Sequence, residues 1–588
     1  MATPTSPQMD ASAPSRPSSA GPESPVNHHV APFKRFKQMY KDRSPSVVES
    51  LSSATGYSPD PTAPVISPSA EELAEIRSSK SFKGLEVSEL FGKIYFNVLR
   101  SLEANPAGNI TSFRTIGSCG TVPLTIVSTV PEIADHYHIL ILNAKLDILI
   151  FSNFWKDSYA SRKIGDALKE LSRRRESSDK RKIVVKIMFD RGSASHVLYP
   201  RVKVEEAERV TLGLPAKKDI PNINLEVVNY HNFPLGTLHS KFMVIDRKVA
   251  VINSCNIQDN SNLEMMCQFE GPIVESIYEH GILTWGEPIG YPLPSLEAHE
   301  SSKSSDSEEF PAAVPVVSRT MNDVNEILNK SLKQNTSYQA TDDLADRPFM
   351  SHVRHSTDLF PMALVNRAPY APPGNVSINT PQNVAWLSGV EFAESKIYIQ
   401  TPDLNAPPIM SALVDAVKRG VDVTIVLCLG YNDLGEMLPL QGGHNENIVA
   451  KMKEQLTEEE KKRLKVYWYV GRDMTRPIHA TKQVRTCHIK LMIVDERIGI
   501  QGSGNQDTQS WFHSQETNCM IESQEVCQSW MKQLAANQNS FKHGLGSDID
   551  GVWRDEAGNI AKDSIGVNTG VNAWYRGAFA LISGKIGL

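Results

Sequence analysis

Two short segments of this 588-residue chain carry the same reactive side chains at the same spacing. Both read His-x-Lys-x4-Asp, which places the six side chains at His239, Lys241, Asp246, His488, Lys490 and Asp495. A single match in a chain of this length has a chance of roughly a few per cent, so one alone would be a modest hypothesis. Two matches 249 residues apart, counted from His239 to His488, are far more specific.

The spacing within each motif predicts which side chains point together. Each motif runs into a continuous apolar stretch, FMVI or LMIV, which is typical of a strand buried on both faces. Residues i and i+2 of a strand share a face, so the His and Lys of each motif point the same way. The Asp has the opposite parity, which predicts that Asp246 and Asp495 face away from the pocket and hold the strand end.

Further polar residues follow each motif. A second apolar strand ends at side chains that could donate hydrogen bonds to phosphate oxygens, at Ser254, Asn256, Ser503 and Asn505. A glutamate comes next, Glu264 in the first copy and Glu516 in the second, and each is a candidate to hold a catalytic His in one tautomer. The spacing from Asn to Glu is 8 residues in the first copy and 11 in the second, which predicts a shorter or different loop in the first.

The sequence around the motifs repeats as well, and this repeat predicts the fold. Residues 143–155 and 392–404 each indicate a buried strand, and an amphipathic helix and a β-branched strand follow in both copies. Strand, helix and strand in this order favour a parallel sheet covered by helices. We therefore expect an α/β fold of two pseudo-symmetric lobes, each a mostly parallel β-sheet flanked by helices.

Composition sets the expected domain boundaries. Residues 1–80 are rich in Ser and Pro and are predicted to be a disordered tail. The first lobe is expected at 81–296, a linker or surface loop at 297–340, and the second lobe with an apolar C-terminal segment at 341–588. The tail lacks the apolar core of a secretory signal, and the seven cysteines are scattered without a Cys-x-x-Cys pair, so we expect a cytoplasmic protein, with peripheral membrane association as an option.

Both segments resemble the His-x-Lys-x4-Asp-x6-Gly-Ser-x-Asn signature of the phospholipase D superfamily, and the repeat extends the likeness over roughly residues 80–540. The first copy departs from the signature at Asn253, where Gly is usual. The resemblance implies one active site where the two motifs meet, with no metal and no cofactor. One His attacks phosphorus, the other protonates the leaving oxygen, and the Lys and Asn side chains bind the non-bridging oxygens. By family habit His239 is the nucleophile and His488 the acid.

Three classes of function fit these residues: a phospholipase D or phosphatidyltransferase similar to cardiolipin synthase, a nuclease of the same fold, and a catalytically silent scaffold. A scaffold would need neither intact His/Lys/Asn set. A nuclease is disfavoured because the chain has 61 basic and 67 acidic residues and no concentrated basic stripe beyond its predicted tail and a short run at Arg173, Arg174 and Arg175. We therefore expect a phospholipid substrate at a membrane surface and no nucleic-acid partner, while the sequence leaves the oligomeric state open.

A phospholipid also calls for an apolar rim around the site. The candidates are Trp511 and Phe512, the loop 430–443, and the aromatic C-terminal segment, each with core packing as the alternative. The remaining histidines, His231 among them, have no comparable partner in the sequence and are expected in loops or at the surface.

Overall fold

The computed structural model describes residues 65–175, 181–286, 290–296, 318–328, 346–431, 443–480 and 485–567. Within these ranges the strands are β1 (Gly117–Ser128), β2 (Asp147–Ser152), β3 (Ile183–Phe189), β4 (Arg201–Lys203), β5 (Ile223–Asn232), β6 (Gly236–Thr237), β7 (Phe242–Ile245), β8 (Val249–Asn253), β9 (Glu264–Glu270), β10 (His352–Arg354), β11 (Phe360–Arg367), β12 (Lys396–Gln400), β13 (Asp422–Leu427), β14 (Leu464–Trp468), β15 (Leu491–Val494), β16 (Ile498–Gly502) and β17 (Glu516–Glu522).

The helices of the same ranges are α1 (Ala70–Arg77), α2 (Glu89–Ala104), α3 (Val130–Leu142), α4 (Tyr159–Arg174), α5 (Glu206–Thr211), α6 (Ile273–Trp285), α7 (Met321–Leu328), α8 (Pro381–Glu391), α9 (Pro407–Lys418), α10 (Asn445–Glu454), α11 (Glu458–Lys461), α12 (Thr508–Phe512), α13 (Gln524–Asn537) and α14 (Ser540–His543). The strands and helices predicted around the two motifs lie at β2, α4, β3, β5, β7 and β8 in the first lobe. Their second-lobe counterparts are β12, α9, β13, β14, β15 and β16.

The two lobes repeat one strand pattern. In the first lobe β2, β3 and β5 are parallel neighbours, and β7, β8 and β9 continue the sheet as antiparallel strands. In the second lobe β12, β13 and β14 are parallel, and β15, β16 and β17 continue antiparallel. The predicted α/β class and the two pseudo-symmetric lobes are confirmed. Each sheet is mixed, because the motif strands form hairpins.

The sheets are joined edge to edge by two long strands. β1 pairs with β9 along its C-terminal part, while its residues 117–120 pair antiparallel with residues 360–363 of β11, which in turn pairs with β17. Because side chains alternate along each strand, the described residues form one core under the helices of each lobe and a third core shared by both lobes. In β12, for example, Ile397 and Ile399 pack under the helices of the second lobe, and Tyr398 faces a core shared by both lobes.

The chain folds earlier than the composition predicted. Helix α1 begins at a capping box in which the Ser69 hydroxyl accepts from the backbone of Glu72 and the Glu72 carboxylate accepts from that of Ser69. Ile76 of this helix is fully buried, and α2 packs on α8 of the second lobe. The predicted tail 1–80 is therefore wrong for residues 65–80. The start of the predicted first lobe packs in the core under the helices of the second lobe. Residues 1–64 lie outside the described ranges.

Part of the predicted linker 297–340 is also folded. Helix α7 buries Met321, Val324 and Leu328 in the core shared by the lobes, and Arg319 just before it pairs with Asp135 of α3 at 2.5 Å. Its three apolar residues recur at helical spacing inside a polar stretch, which explains the difference. Residues 297–317, 329–345 and the C-terminal 568–588 lie outside the described ranges. Among the described helices, none is both long and apolar enough to cross a bilayer.

Candidate active site

Backbone hydrogen bonds join each motif to the other lobe. The amide of His239 donates to the Gln515 carbonyl at 2.9 Å, and the amide of Gln515 donates to the Thr237 carbonyl at 2.7 Å. The second motif makes the same pair of bonds. The amide of His488 donates to the Leu263 carbonyl, and the amide of Leu263 donates to the Thr486 carbonyl, both at 2.8 Å. Gln515 and Leu263 directly precede the two glutamates. The bonds therefore place each histidine beside the glutamate of the opposite lobe.

The side chains use this proximity. His239 Nδ1 lies 2.8 and 3.0 Å from the two carboxylate oxygens of Glu516, and His488 Nδ1 lies 3.0 and 3.1 Å from those of Glu264. Both carboxylates are fully buried. An Nδ1–H donated to a carboxylate fixes the tautomer and the ring orientation, and it leaves Nε2 as the nitrogen available for chemistry.

The two serines that the sequence offers as phosphate ligands donate hydrogen bonds to the buried glutamates. The Ser503 hydroxyl donates to Glu516 at 2.6 Å and accepts from the Thr517 amide at 3.0 Å. The Ser254 hydroxyl donates to Glu264 in the same way and accepts from the Met265 amide at 2.9 Å. Each serine directly follows a strand that is paired with the strand of the glutamate. The hydroxyl therefore points at the carboxylate and positions it.

Both lysines are buried beside the histidines. Lys241 Nζ donates to the His239 carbonyl at 2.6 Å, and Lys490 Nζ donates to the His488 carbonyl at 2.5 Å. Burial lowers the pKa of Lys241 to about 7 and that of Lys490 to about 8, although Glu516 and Glu264 attract both ammonium groups. Such lysines regain their protons readily when an anion binds next to them, because an opposite charge favours the charged form.

Charge and burial also compete at the four paired side chains. Burial lowers the pKa of His239 and of His488 below the usual range, against the attraction of the adjacent carboxylates. Burial alone would raise the pKa of Glu264 and Glu516, but the neighbouring imidazoles and lysines hold the pKa of both carboxyls below the usual range. The carboxylates are therefore ionised at neutral pH, and burial favours the neutral form of the imidazoles.

The asparagines occupy equivalent places in the two lobes. The Asn505 amide donates to Asp507 at 2.9 Å. Oδ1 of Asn256 and Oδ1 of Asn505 are both buried without a hydrogen-bond partner in the described part of the chain. The two ends of a carboxamide have the same shape, so the turned-over rotamer of Asn256 presents an N–H₂ donor at that point, whereas the Asp507 carboxylate holds the N–H₂ group of Asn505 in place. An N–H₂ donor at such a buried point suits a ligand oxygen.

The two aspartates of the motifs accept hydrogen bonds from the backbone of a neighbouring strand. Asp246 accepts hydrogen bonds from three consecutive backbone amides, those of residues 145–147, at 2.7 to 2.9 Å. Asp495 does the same for residues 394–396 at 2.8 to 2.9 Å. Both begin a hairpin turn with positive φ, 51° and 48°. Each aspartate therefore ties the turn after the motif strand to the start of β2 or β12.

The lobes differ at the residue that precedes each histidine, and sequence reasoning missed this. The Leu238 amide donates to the Asp190 carboxylate at 2.8 Å, whereas the equivalent Cys487 amide donates to Cys428 Sγ at 3.1 Å. Asp190 also pairs with His231 Nδ1 at 2.9 Å, so His231 is partnered and not a plain surface residue. Asp190 directly follows β3, and the end of a parallel strand is a signal that could have revealed it.

The longer Asn-to-Glu spacing of the second copy folds into helix α12. Asp507 caps this helix through the Ser510 amide at 2.6 Å, and the Ser510 hydroxyl donates to Glu516 at 2.7 Å. Trp511 and Phe512 are buried in the core of the second lobe, so the prediction that they form an apolar rim is wrong. The C-terminal segment and most of loop 430–443 lie outside the described residues, except that the Tyr431 ring lies 6.3 Å from that of His488.

Comparisons with known proteins agree with the resemblance that the two motifs indicate. Residues 389–537 match a family model described as cardiolipin synthase, PLD-like domain. The match lies in the second lobe and includes the second motif, which confirms the likeness indicated by the motifs. No curated protein sequence matches the chain.

Three solved structures are similar to this chain. Phosphatidylserine synthase of Haemophilus influenzae Rd KW20 is 15% identical, with 76% of this chain and 92% of that one covered and a TM-score of 0.45. Nuc of Salmonella typhimurium, a phospholipase D family member, is 20% identical over 31% of this chain and 95% of its own, with a TM-score of 0.21. Polyphosphate kinase of Porphyromonas gingivalis is 11% identical over 78% and 52%, with a TM-score of 0.38.

Proposed function

We propose that this chain cleaves and transfers phosphodiesters of phospholipids through a covalent phosphohistidine, as a phospholipase D or a phosphatidyltransferase similar to cardiolipin synthase. The observation that carries the proposal is the pair of histidines whose Nδ1 atoms are each held by a buried carboxylate of the opposite lobe. Two histidines oriented in this way, with a lysine beside each, are the parts that a displacement at phosphorus needs.

In the first half-reaction, His239 Nε2 attacks phosphorus and the bond from phosphorus to the leaving oxygen breaks. His488 transfers its Nε2 proton to that oxygen, so the alcohol leaves in neutral form. One histidine cannot be nucleophile and leaving-group acid for the same bond at the same moment. Lys241 and Lys490 stabilise the charge that develops on the non-bridging oxygens, and Asn256 and Asn505 donate further hydrogen bonds.

In the second half-reaction, water or a second alcohol attacks the phosphohistidine. The bond between phosphorus and nitrogen breaks, and His488 takes the proton of the incoming nucleophile, which restores both histidines. Water gives hydrolysis and an alcohol gives transfer. The chemistry at phosphorus is the same for both, so access to the site decides between them.

The test is turnover of glycerophospholipid in vesicles or micelles, with and without a primary alcohol. Wild-type protein should release the head group, and added alcohol should give a phosphatidyl-alcohol product. His239→Ala and His488→Ala should each abolish turnover, and His239→Ala should also fail to form an acid-labile phosphoenzyme. Near wild-type turnover by either variant would contradict the shared site.

A nuclease of the same fold is the second candidate, since the attack on phosphorus would be the same. Nucleic acid is a polyanion, and its binding normally needs a basic surface with stacking aromatic side chains. The chain has a formal net charge of −6, which favours the lipid. Robust cleavage of DNA or RNA without lipid turnover would move the assignment to the nuclease.

A further inference from the structure

Four large apolar side chains are exposed on two neighbouring loops of the first lobe. Val197, Leu198 and Tyr199 follow one another and are 59, 75 and 64% exposed, and Phe233 is 51% exposed. Scattered single apolar residues are normal at a surface, but a contiguous group marks a contact with an apolar partner. None of these residues was a rim candidate in the sequence.

The first of these loops is held in shape. The backbone amide of Arg191 donates to the side-chain Oδ1 of Asn229 at 2.9 Å, and Nδ2 of Asn229 donates to the backbone carbonyl of Arg191 at 2.9 Å. Halfway along the loop, His196 is buried, and its Nδ1 accepts from the Ser193 amide at 3.0 Å. Strand β4 then ends the loop on β5. The hydrogen bonds on either side therefore fix the backbone of this loop, and its three apolar side chains are exposed to solvent.

The second loop is tied to the first and to the other lobe. The amide of His231 donates to the Pro200 carbonyl at 2.9 Å, and the rings of His231 and His196 are 5.9 Å apart. Further along, Gln509 of the second lobe donates to the Leu235 carbonyl at 2.8 Å. The exposed group therefore spans two loops whose positions depend on the folded pair of lobes.

Both loops lie at the edge of the sheet where the candidate site opens. They leave the C-terminal ends of β3 and β5, which are parallel neighbours. Asp190, the first residue after β3, accepts from the amide of Leu238, next to His239. Asn153, the first residue after β2, donates to the Leu238 carbonyl at 3.2 Å. The apolar loops and the candidate nucleophile therefore share one edge of the molecule.

Basic residues predominate along the two loops, although Asp190 and Glu205 lie at their ends and pair with His231 and Lys203. From Arg191 to Lys203 the chain has three basic residues and no Asp or Glu, and from residue 230 to 237 it has no Asp, Glu, Lys or Arg. Aliphatic and aromatic side chains at a tip, with basic residues beside them, are the combination that inserts into the headgroup region of an anionic bilayer. Tyr199 suits this position because its ring is apolar and its hydroxyl is polar.

We propose that the loops with Val197, Leu198, Tyr199 and Phe233 dock this protein on an anionic phospholipid surface. Docking at this edge brings the candidate site to the headgroups. The phosphodiester of a lipid then reaches His239 while its acyl chains stay in the bilayer. The inference rests on the proposed function for its purpose, but the contact itself is a binding property that can be measured without turnover.

The test compares wild-type protein, the double variant Leu198→Ser/Tyr199→Ser, and Ile549→Ser, a control residue that is 72% exposed beside the edge strand β14. Each protein is sedimented with vesicles of phosphatidylcholine alone or mixed with phosphatidylglycerol. Wild type and control should bind the mixed vesicles more tightly than the neutral ones, and salt should weaken that binding. The double variant should bind the mixed vesicles at least about tenfold less well, from the loss of two apolar side chains.

Turnover separates this proposal from the proposed function. With bis(p-nitrophenyl) phosphate in solution the three proteins should have equal rates, and on mixed vesicles only the double variant should be slow. The docking proposal is wrong if wild type stays in the supernatant with both vesicles, which would leave the loops to a protein partner. It is also wrong if the double variant binds like the control, or if its rate falls equally on both substrates. If wild-type protein turns over neither substrate, the proposed function is wrong. Sedimentation with vesicles still tests the docking proposal in that case.

Discussion

Glu264→Gln and Glu516→Gln test which histidine attacks phosphorus, because each change removes the charge beside one imidazole and keeps the size of the side chain. Both carboxylates are fully buried and lie within 3.1 Å of the Nδ1 that they hold. Removing one partner of a buried ion pair costs about 3–5 kcal/mol. At about 1.4 kcal/mol for each tenfold change, we expect kcat/KM to fall by roughly 10²- to 10⁴-fold.

The leaving group then distinguishes the two roles. If His488 is the acid, Glu264→Gln should impair an alkyl diester by the full factor and a p-nitrophenyl diester by less than about tenfold, because an aryl oxide leaves without a proton. If His239 is the nucleophile, Glu516→Gln should impair both substrates equally. The assay is kcat/KM on the two diesters, measured side by side for each variant.

Glu522→Gln is the matched control. Glu522 lies at the far end of β17 from Glu516, where it pairs with Arg497 at 3.1 Å, and its loss should leave kcat/KM unchanged on both diesters. The opposite selectivity would exchange the roles of the two histidines. Losses below about threefold in both variants, with thermal unfolding unchanged, would refute the reasoning that buried carboxylates tune the imidazoles.

Three further outcomes follow from the site. Asp246→Asn removes a charge that accepts three backbone N–H groups and should lower the free energy of unfolding by about 2–3 kcal/mol in urea, with turnover per folded molecule retained; unchanged stability with lost turnover would contradict its structural role. The lysines must carry protons to bind an anion, and burial lowers the pKa of Lys241 to about 7 and that of Lys490 to about 8. We therefore expect kcat/KM to fall as the pH rises through this range. A flat profile of kcat/KM from pH 6 to 9 would contradict this expectation. Because the lysines supply the positive charge, dialysis against a chelator should leave the rate of the chemical step intact, and a loss that a divalent ion restores would count against the mechanism.

Local pattern predicted the elements that carry the motifs. The apolar runs of β7 and β15, the parity of Asp246 and Asp495, and the strand–helix–strand order before each motif depend on nearest neighbours and on the period of two in a strand. These features were therefore legible in the sequence, and the structure has all of them.

What the sequence left undecided depends on contacts between distant residues. The pairing of β1 with β11 joins residues about 240 positions apart, and no local pattern encodes which strand edge meets which. The same limit applies to Ser254 and Ser503, because their hydrogen bonds to Glu264 and Glu516 depend on which strands lie beside them. Trp511 and Phe512 looked like an exposed aromatic pair because α12 is too short to show which side it buries.

The junction of β1 with β11 has the form of an isologous interface, in which residue i of one half meets residue j of the other and j meets i. The contacts of His239 with Glu516 and of His488 with Glu264 cross it in both directions. A polypeptide with one lobe alone would expose a bare strand edge, a histidine without its carboxylate and a carboxylate without its histidine, and a second copy of itself would supply all three. Tandem fusion of two copies makes that association independent of concentration. It also lets the halves differ, and the equivalent positions after β3 and β13 carry Asp190 in one lobe and Cys428 in the other.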